Sequence, residues 1–114
     1  MKTFQTQAAQ GDLLLIRINE LPAGVEPVVG EGGKYVVAHS ETGHHHTVDV
    51  QEGVLYFRAP KDPMTCYLSV GGSGAELVHH RPHDTHESIQ LSGGTYLLRR
   101  QREWTPEGLR MVQD

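Results

Sequence analysis

The sequence is poor in cysteine and in long apolar runs. Cys66 is the single cysteine among 114 residues, which excludes an internal disulfide and a cysteine-rich zinc site. The most apolar stretch, residues 13–16, is interrupted by Arg17 and falls far short of the ~20 residues that a transmembrane helix needs. The first five residues lack the apolar region of a signal peptide. We therefore expect a cytoplasmic protein without membrane contact, in which histidines and carboxylates form any metal site.

The chain also lacks an excess of positive charge. Its 10 lysines and arginines face 14 acidic residues, which gives a net charge of −4 and argues against general nucleic-acid binding. Arg99, Arg100 and Arg102 form a local exception that could bind an anion or an RNA phosphate. We favour an exposed strand face or a subunit contact, because alternation places Arg100, Arg102 and Trp104 together. Arginine beside an aromatic ring is typical of interfaces, so we expect a homo-oligomer.

Short segments rich in β-branched and aromatic residues alternate with glycine and proline, and no long 3.6-residue periodicity is present. This pattern predicts an all-β fold, a compact sandwich or small barrel, with residues 1–114 as one domain. Gly71–Gly74 and Gly93–Gly94 are expected to be hairpin turns, and residues 20–33 an irregular loop. About nine strands are predicted, near residues 12–18, 34–39, 45–50, 54–58, 64–70, 74–80, 86–91, 95–103 and 109–112.

All eight histidines lie between residues 39 and 86, and they fall into two clusters. Imidazole is the commonest metal ligand, and two clusters on separate elements can meet in a fold to enclose one ion. The sequence therefore predicts a site for a divalent metal, zinc above iron, manganese or nickel. The clusters are His39, His44, His45 and His46, and His79, His80, His83 and His86.

The first cluster enters a strand that continues through Val48. In a strand, His44 and His46 point to one face and His45 to the other, and His44 and His46 share the face of Val48. We therefore predict His44 and His46 as metal ligands and His45 as a solvated residue. His39 ends a preceding core strand, where it could orient a ligand or relay a proton.

The second cluster lies on both sides of a predicted loop. His79 ends one strand and His86 begins the next, so both are predicted to complete a set of three or four ligands. Glu87 shares parity with Ile89 and Leu91, which suggests an inward-facing carboxylate able to ligate metal or transfer a proton. The predicted catalytic residues are Glu87 and His39, whereas His80 and His83 are expected to be solvated.

The His44-x-His46 pair resembles that of the cupins, which carry a further histidine on a later strand, here His79 or His86. The resemblance spans residues 39–91, although Asp49 and Glu52 miss the usual spacing of the cupin glutamate and the proline–glycine signature is absent. It implies an iron dioxygenase or an isomerase. The segments 42–46 and 100–107 together also resemble those of a group of small uncharacterised proteins.

Three imidazoles and one open position on zinc would activate a bound water. The leading hypothesis is therefore an enzyme, a metal-dependent lyase or hydrolase, that hydrates or hydrolyses a small substrate in the manner of a carbonic anhydrase. The alternative from another class is a non-catalytic structural or metal-sensing module that oligomerises or binds a partner. A closed shell of four ligands favours the module, and an open position favours catalysis.

Overall fold

The structure, a computed structural model, describes residues 6–10, 12–38, 45–80, 87–100, 102–105 and 108–111. For Glu87 and for the residues after Arg100 it describes the backbone alone. These residues form twelve strands and no helix, so the all-β prediction is confirmed. The strands are β1 (Gln7–Gln10), β2 (Leu13–Ile18), β3 (Glu26–Pro27), β4 (Lys34–Ala38), β5 (His46–Asp49), β6 (Val54–Arg58), β7 (Thr65–Val70), β8 (Ala75–His79), β9 (Glu87–Leu91), β10 (Gly94–Arg100), β11 (Arg102–Thr105) and β12 (Gly108–Met111).

Ten of these strands form two antiparallel sheets. The larger sheet has the order β1-β2-β10-β7-β6-β3, and the smaller sheet has the order β4-β5-β8-β9. Strands β11 and β12 pair with each other as a separate ribbon. Among the described residues, no strand of one sheet pairs with a strand of the other. The architecture is therefore a sandwich rather than a closed barrel.

The core lies between the two sheets, and alternation along the strands explains which side chains enter it. Leu13 and Leu15 of β2 are fully buried, whereas Leu14 between them is only partly covered. From the smaller sheet, Leu77 of β8 and Ile89 of β9 are also fully buried. Each sheet therefore presents one apolar face to the other, as strands of period two require.

Two predicted hairpin turns prove to be connections between sheets. The turn at Gly71–Gly74 leads from β7 in the larger sheet to β8 in the smaller sheet, and Gly93 leads from β9 back to β10. The hairpin prediction was wrong because a tight glycine turn reverses the chain equally well within one sheet or between two. Gly74 has a φ of +76°, and an added Cβ would lie 2.7 Å from the Leu91 carbonyl oxygen.

The structure adds strands that the sequence pattern did not predict. β1 has the composition Gln-Ala-Ala-Gln and lacks the β-branched residues that mark strands. β3 is a two-residue strand inside the predicted loop of residues 20–33. The long strand predicted over residues 95–103 ends at Arg100 as β10, and β11 begins at Arg102. Among the described residues no helix is long and apolar enough to cross a membrane.

Candidate functional site

The two histidine clusters converge on one end of the smaller sheet. Ala38, the last residue of β4, is opposite His46, the first residue of β5. His46 is opposite His79, the last residue of β8, and His79 is opposite Glu87, the first residue of β9. We call this row, Ala38, His46, His79 and Glu87, the histidine end.

Four histidines of the described part of the chain, His45, His46, His79 and His80, lie at this end. In the sequence, His39 and His44 fall between β4 and β5, and His83 and His86 fall between β8 and β9. The latter four residues fall outside the described part of the chain. The predicted ligands His44 and His86 and the predicted catalytic residue His39 therefore stay predictions, as does any role for the Glu87 side chain.

His46 and His79 are both completely buried, and their rings stack. The ring centroids are 4.1 Å apart and the planes differ by 11°. The pairing of β5 with β8 produces this contact, because directly opposed residues of antiparallel strands extend from the same face. One histidine from each cluster thus enters the core, as parity predicted for the first cluster.

Both ring nitrogens of His46 contact side-chain oxygens of the larger sheet. Nδ1 lies 2.8 Å from Gln10 Oε1, and Nε2 lies 2.9 Å from Asp12 Oδ1. The Gln10 amide donates through Nε2 to the Leu77 carbonyl oxygen at 3.0 Å, so its Oε1 is left to accept from His46. The other nitrogen faces a carboxylate, so each ring nitrogen of His46 has an oxygen acceptor within hydrogen-bond distance.

Asp12 connects His46 to an arginine. Arg100 Nη2 lies 3.7 Å from Asp12 Oδ2, and the Asp12 side chain is 4% exposed. An imidazole, a carboxylate and a guanidinium therefore follow one another from His46 through Asp12 to Arg100. A buried charge is tolerated when it is paired and hydrogen-bonded, and this sequence of contacts provides both conditions.

A second histidine pair lies beside the first. The His80 amide donates to the His45 carbonyl oxygen at 2.8 Å, and His80 Nε2 lies 2.8 Å from Thr47 Oγ1. Both rings are partly exposed. Loss of hydration, and then the positive charge of Lys34, lower the pKa of His80, while Asp49 opposes the shift. His80 is thus held mainly as a neutral imidazole at physiological pH.

The geometry limits how the described histidines can hold a metal. The lone pairs of an imidazole lie in the ring plane, so two stacked rings whose planes differ by 11° direct them within two separate, nearly parallel planes. His46 and His79 therefore do not fit one ion together in this arrangement. His46 fits least, because Gln10 and Asp12 occupy both of its nitrogens. Among the described residues no three histidine, cysteine or carboxylate side chains form a metal-sized group.

Gln10 and Asp12 are the site residues that the sequence analysis missed. A signal for them exists, because Gly11–Asp12 separates Gln10 from Leu13, and these two residues pair across a two-residue connection. Glycine followed by aspartate between two strands is typical of a tight hairpin. That hairpin would have placed both polar side chains at one end of the larger sheet.

The chain belongs to a protein family described as a domain of unknown function, DUF8820, which matches residues 9–101. The match includes Gln10, Asp12, both histidine clusters and Arg100, so the whole histidine end lies within the family's domain. No curated protein and no solved structure matches the chain.

Proposed function

We propose that the protein binds one divalent metal ion, zinc in the first place, at the histidine end. The observation that carries this proposal is the register Ala38–His46–His79–Glu87, which brings the ends of four strands together. Four imidazoles, those of His45, His46, His79 and His80, then lie at one end of one sheet, and the other four histidines fall in the segments of sequence that join its strands. Imidazole suits zinc, copper, nickel and iron, and a single cysteine leaves no sulfur-based alternative.

The proposed ligands are His44 and His86 with one member of the stacked pair. His79 is the better choice, because His46 donates from both nitrogens to Gln10 and Asp12. His46 could be the ligand only if its Nδ1 gave up the contact with Gln10. Asp12 would then still bind Nε2, as carboxylates commonly do for metal-bound histidines. The earlier set of four, His44, His46, His79 and His86, is thus reduced to three.

Three imidazoles leave an open position on zinc, and this favours catalysis over a closed structural site. When bound, the ion would lower the pKa of its water to about 7 and supply hydroxide for hydration or hydrolysis of a small substrate. Glu87 and His39 are proposed to transfer the proton that this step releases. A cupin-like iron reaction stays a hypothesis that rests on the His44-x-His46 spacing alone.

A separate observation supports a second candidate function. Buried contacts of Gln10 and Asp12 with His46 and with the Leu77 carbonyl oxygen join the start of the larger sheet to the two inner strands of the smaller sheet. Such contacts are expected of a structural centre in a non-catalytic module that oligomerises or binds a partner. In that case the stacked pair stabilises the fold, and the remaining histidines are solvated.

Elemental analysis of tag-free protein, purified without chelator, tests the first proposal. We expect about one divalent ion per chain, since both clusters converge on one point. Stopped-flow CO₂ hydration and ester hydrolysis by the zinc-loaded protein then test the reaction. Stoichiometric metal without rate enhancement over free zinc would favour the structural or metal-sensing module. Absence of any stoichiometric transition metal would contradict the metal proposal itself.

A further inference from the structure

A cavity of about 270 Å³ is lined by residues of both sheets and by no described histidine. Val37 of β4 forms one wall, Tyr56 of β6 and Cys66 of β7 form another, and the end of β10 contributes Arg100. The register of β4 shifts between Val36 and Ala38, and this irregularity places Val37 and Ala38 in succession in the core. Bulges commonly redirect side chains in this way.

Arg100 brings an unmatched donor to this cavity. Its Nε is buried and has no hydrogen-bond acceptor within the described part of the chain. Its Nη2 lies 3.7 Å from Asp12 Oδ2, which is longer than a hydrogen bond. The Arg100 side chain lines the cavity and is 22% exposed, so an acceptor in the cavity could contact a guanidinium whose hydrogen-bonding capacity is not fully used.

The charges of the cavity complement an anion. Of the residues described as lining it, two are arginines and none is acidic. Arg58 is already engaged, because its guanidinium lies 2.8 Å from Glu26 Oε1 and is largely exposed. Arg100 is therefore the cation with capacity left to bind a ligand.

The remaining walls are apolar or neutral. Val37 and Met64 contribute hydrocarbon and thioether surface. Burial raises the pKa of Tyr56 well above its usual range and raises the pKa of the Cys66 thiol to about 12. Neither group is an anion at physiological pH, so neither competes with a ligand for Arg100.

We propose that this cavity is a binding site for a small carboxylate with a short apolar body, held by a charge-assisted hydrogen bond from Arg100. Arginine is suited to carboxylates because its planar guanidinium can donate two parallel hydrogen bonds. The volume is close to the lower limit of about 300 Å³ for ligand pockets, which restricts the ligand to the size of a fragment. None of the proposed metal ligands lines this cavity, although Asp12 connects its Arg100 to His46.

The test is an NMR titration of the full-length protein with benzoate, beside the neutral isostere benzamide. We expect benzoate to bind in the millimolar range, as a fragment should, and to shift the backbone amides of Val37, Thr65 and Cys66. Benzamide should bind about tenfold more weakly, since a hydrogen bond to a charged group contributes about 1.5–3 kcal/mol. Equal affinity of the two probes, or no localised shifts, would overturn the proposal.

Two variants test which arginine binds benzoate. Arg100→Met should weaken benzoate binding about tenfold and leave benzamide unchanged. Arg58→Met is the matched control, because it removes the same charge from the same cavity at an arginine already paired with Glu26. An equal loss in both variants would show attraction by general positive charge and overturn the assignment to Arg100. If Arg100→Met does not fold, the comparison of benzoate with benzamide on the unaltered protein decides.

Discussion

His46 and His79, one residue from each histidine cluster, stack in the core with ring centroids 4.1 Å apart. The two rings differ in their surroundings, because both nitrogens of His46 lie within hydrogen-bond distance of oxygens of Gln10 and Asp12. The stack therefore pairs a histidine that is held at both nitrogens with His79, the member of the pair that is proposed as a metal ligand.

The protonation of His46 can be observed directly by NMR of the imidazole nitrogens. In metal-free protein at neutral pH, we expect both nitrogens of His46 to carry hydrogens, because each faces an oxygen acceptor. Long-range ¹H–¹⁵N spectra of the unaltered protein, assigned with an Asp12→Asn variant, provide the measurement. A bare nitrogen on His46 would contradict the hydrogen-bond assignment.

The buried amide of Gln10 is expected to contribute strongly to stability. Gln10→Ala removes the donor to the Leu77 carbonyl oxygen and the acceptor at His46 Nδ1, leaving two buried polar groups without these partners. We predict a loss of about 2–5 kcal/mol in the free energy of unfolding, measured by urea denaturation. Gln7→Ala on the same strand is the control, since Gln7 is exposed. Similar losses in the two variants would show that β1 contributes through its backbone alone.

The turn between the sheets depends on Gly74. Gly74→Ala places a Cβ against the Leu91 carbonyl oxygen and forces a side chain into positive φ, so we predict a loss of about 1–3 kcal/mol. Gly72→Ala in the same turn should change stability by less than about 0.5 kcal/mol, because an added Cβ meets nothing within 4 Å. Thermal unfolding of both variants compares them. Equal stability of the variants would contradict the described turn.

The thiol of Cys66 is expected to be inert in the folded protein. Burial raises its pKa from an ordinary 9.0 to about 12, so at pH 8 the thiolate fraction is about a thousandfold smaller than in the unfolded chain. Iodoacetamide should label denatured protein quickly and native protein very slowly. Rapid labelling of native protein would show that Cys66 is accessible.

The same shift makes stability depend on pH. Above pH 9 the unfolded chain loses the thiol proton while the folded chain keeps it, so the contribution of Cys66 to stability is full below pH 9 and declines as the pH rises toward 12. Cys66→Ala should flatten this part of the stability profile.

The sequence predicted the all-β class and the burial of His46, because alternation with Val48 is visible in the chain. It also predicted that the two histidine clusters meet, and the register places one residue of each cluster, His46 and His79, opposite the other. It did not predict the partners of His46, since Gln10 lies on a strand of weak β propensity, 36 residues away. Stacking of His46 on His79 depends on the pairing of β5 with β8, which alternation within one strand cannot specify.

The glycine turns that connect the two sheets also show what the local sequence cannot predict. A turn formed by Gly71–Gly74 is evident from composition, but whether it joins neighbours in one sheet depends on long-range packing of the core. Residues such as Leu77 and Ile89 determine that packing together with Leu13 and Leu15, which are distant in sequence.

A zinc titration by calorimetry, on tag-free protein stripped of metal, tests the central claim most directly. We predict one zinc ion per chain with proton release, because histidine ligands must be neutral to bind. His44→Gln should abolish tight binding, whereas the neighbouring His45→Gln should retain it, since alternation directs His45 to the opposite face. Absence of zinc binding by the unaltered protein, or equal binding by both variants, would contradict a metal site at the histidine end.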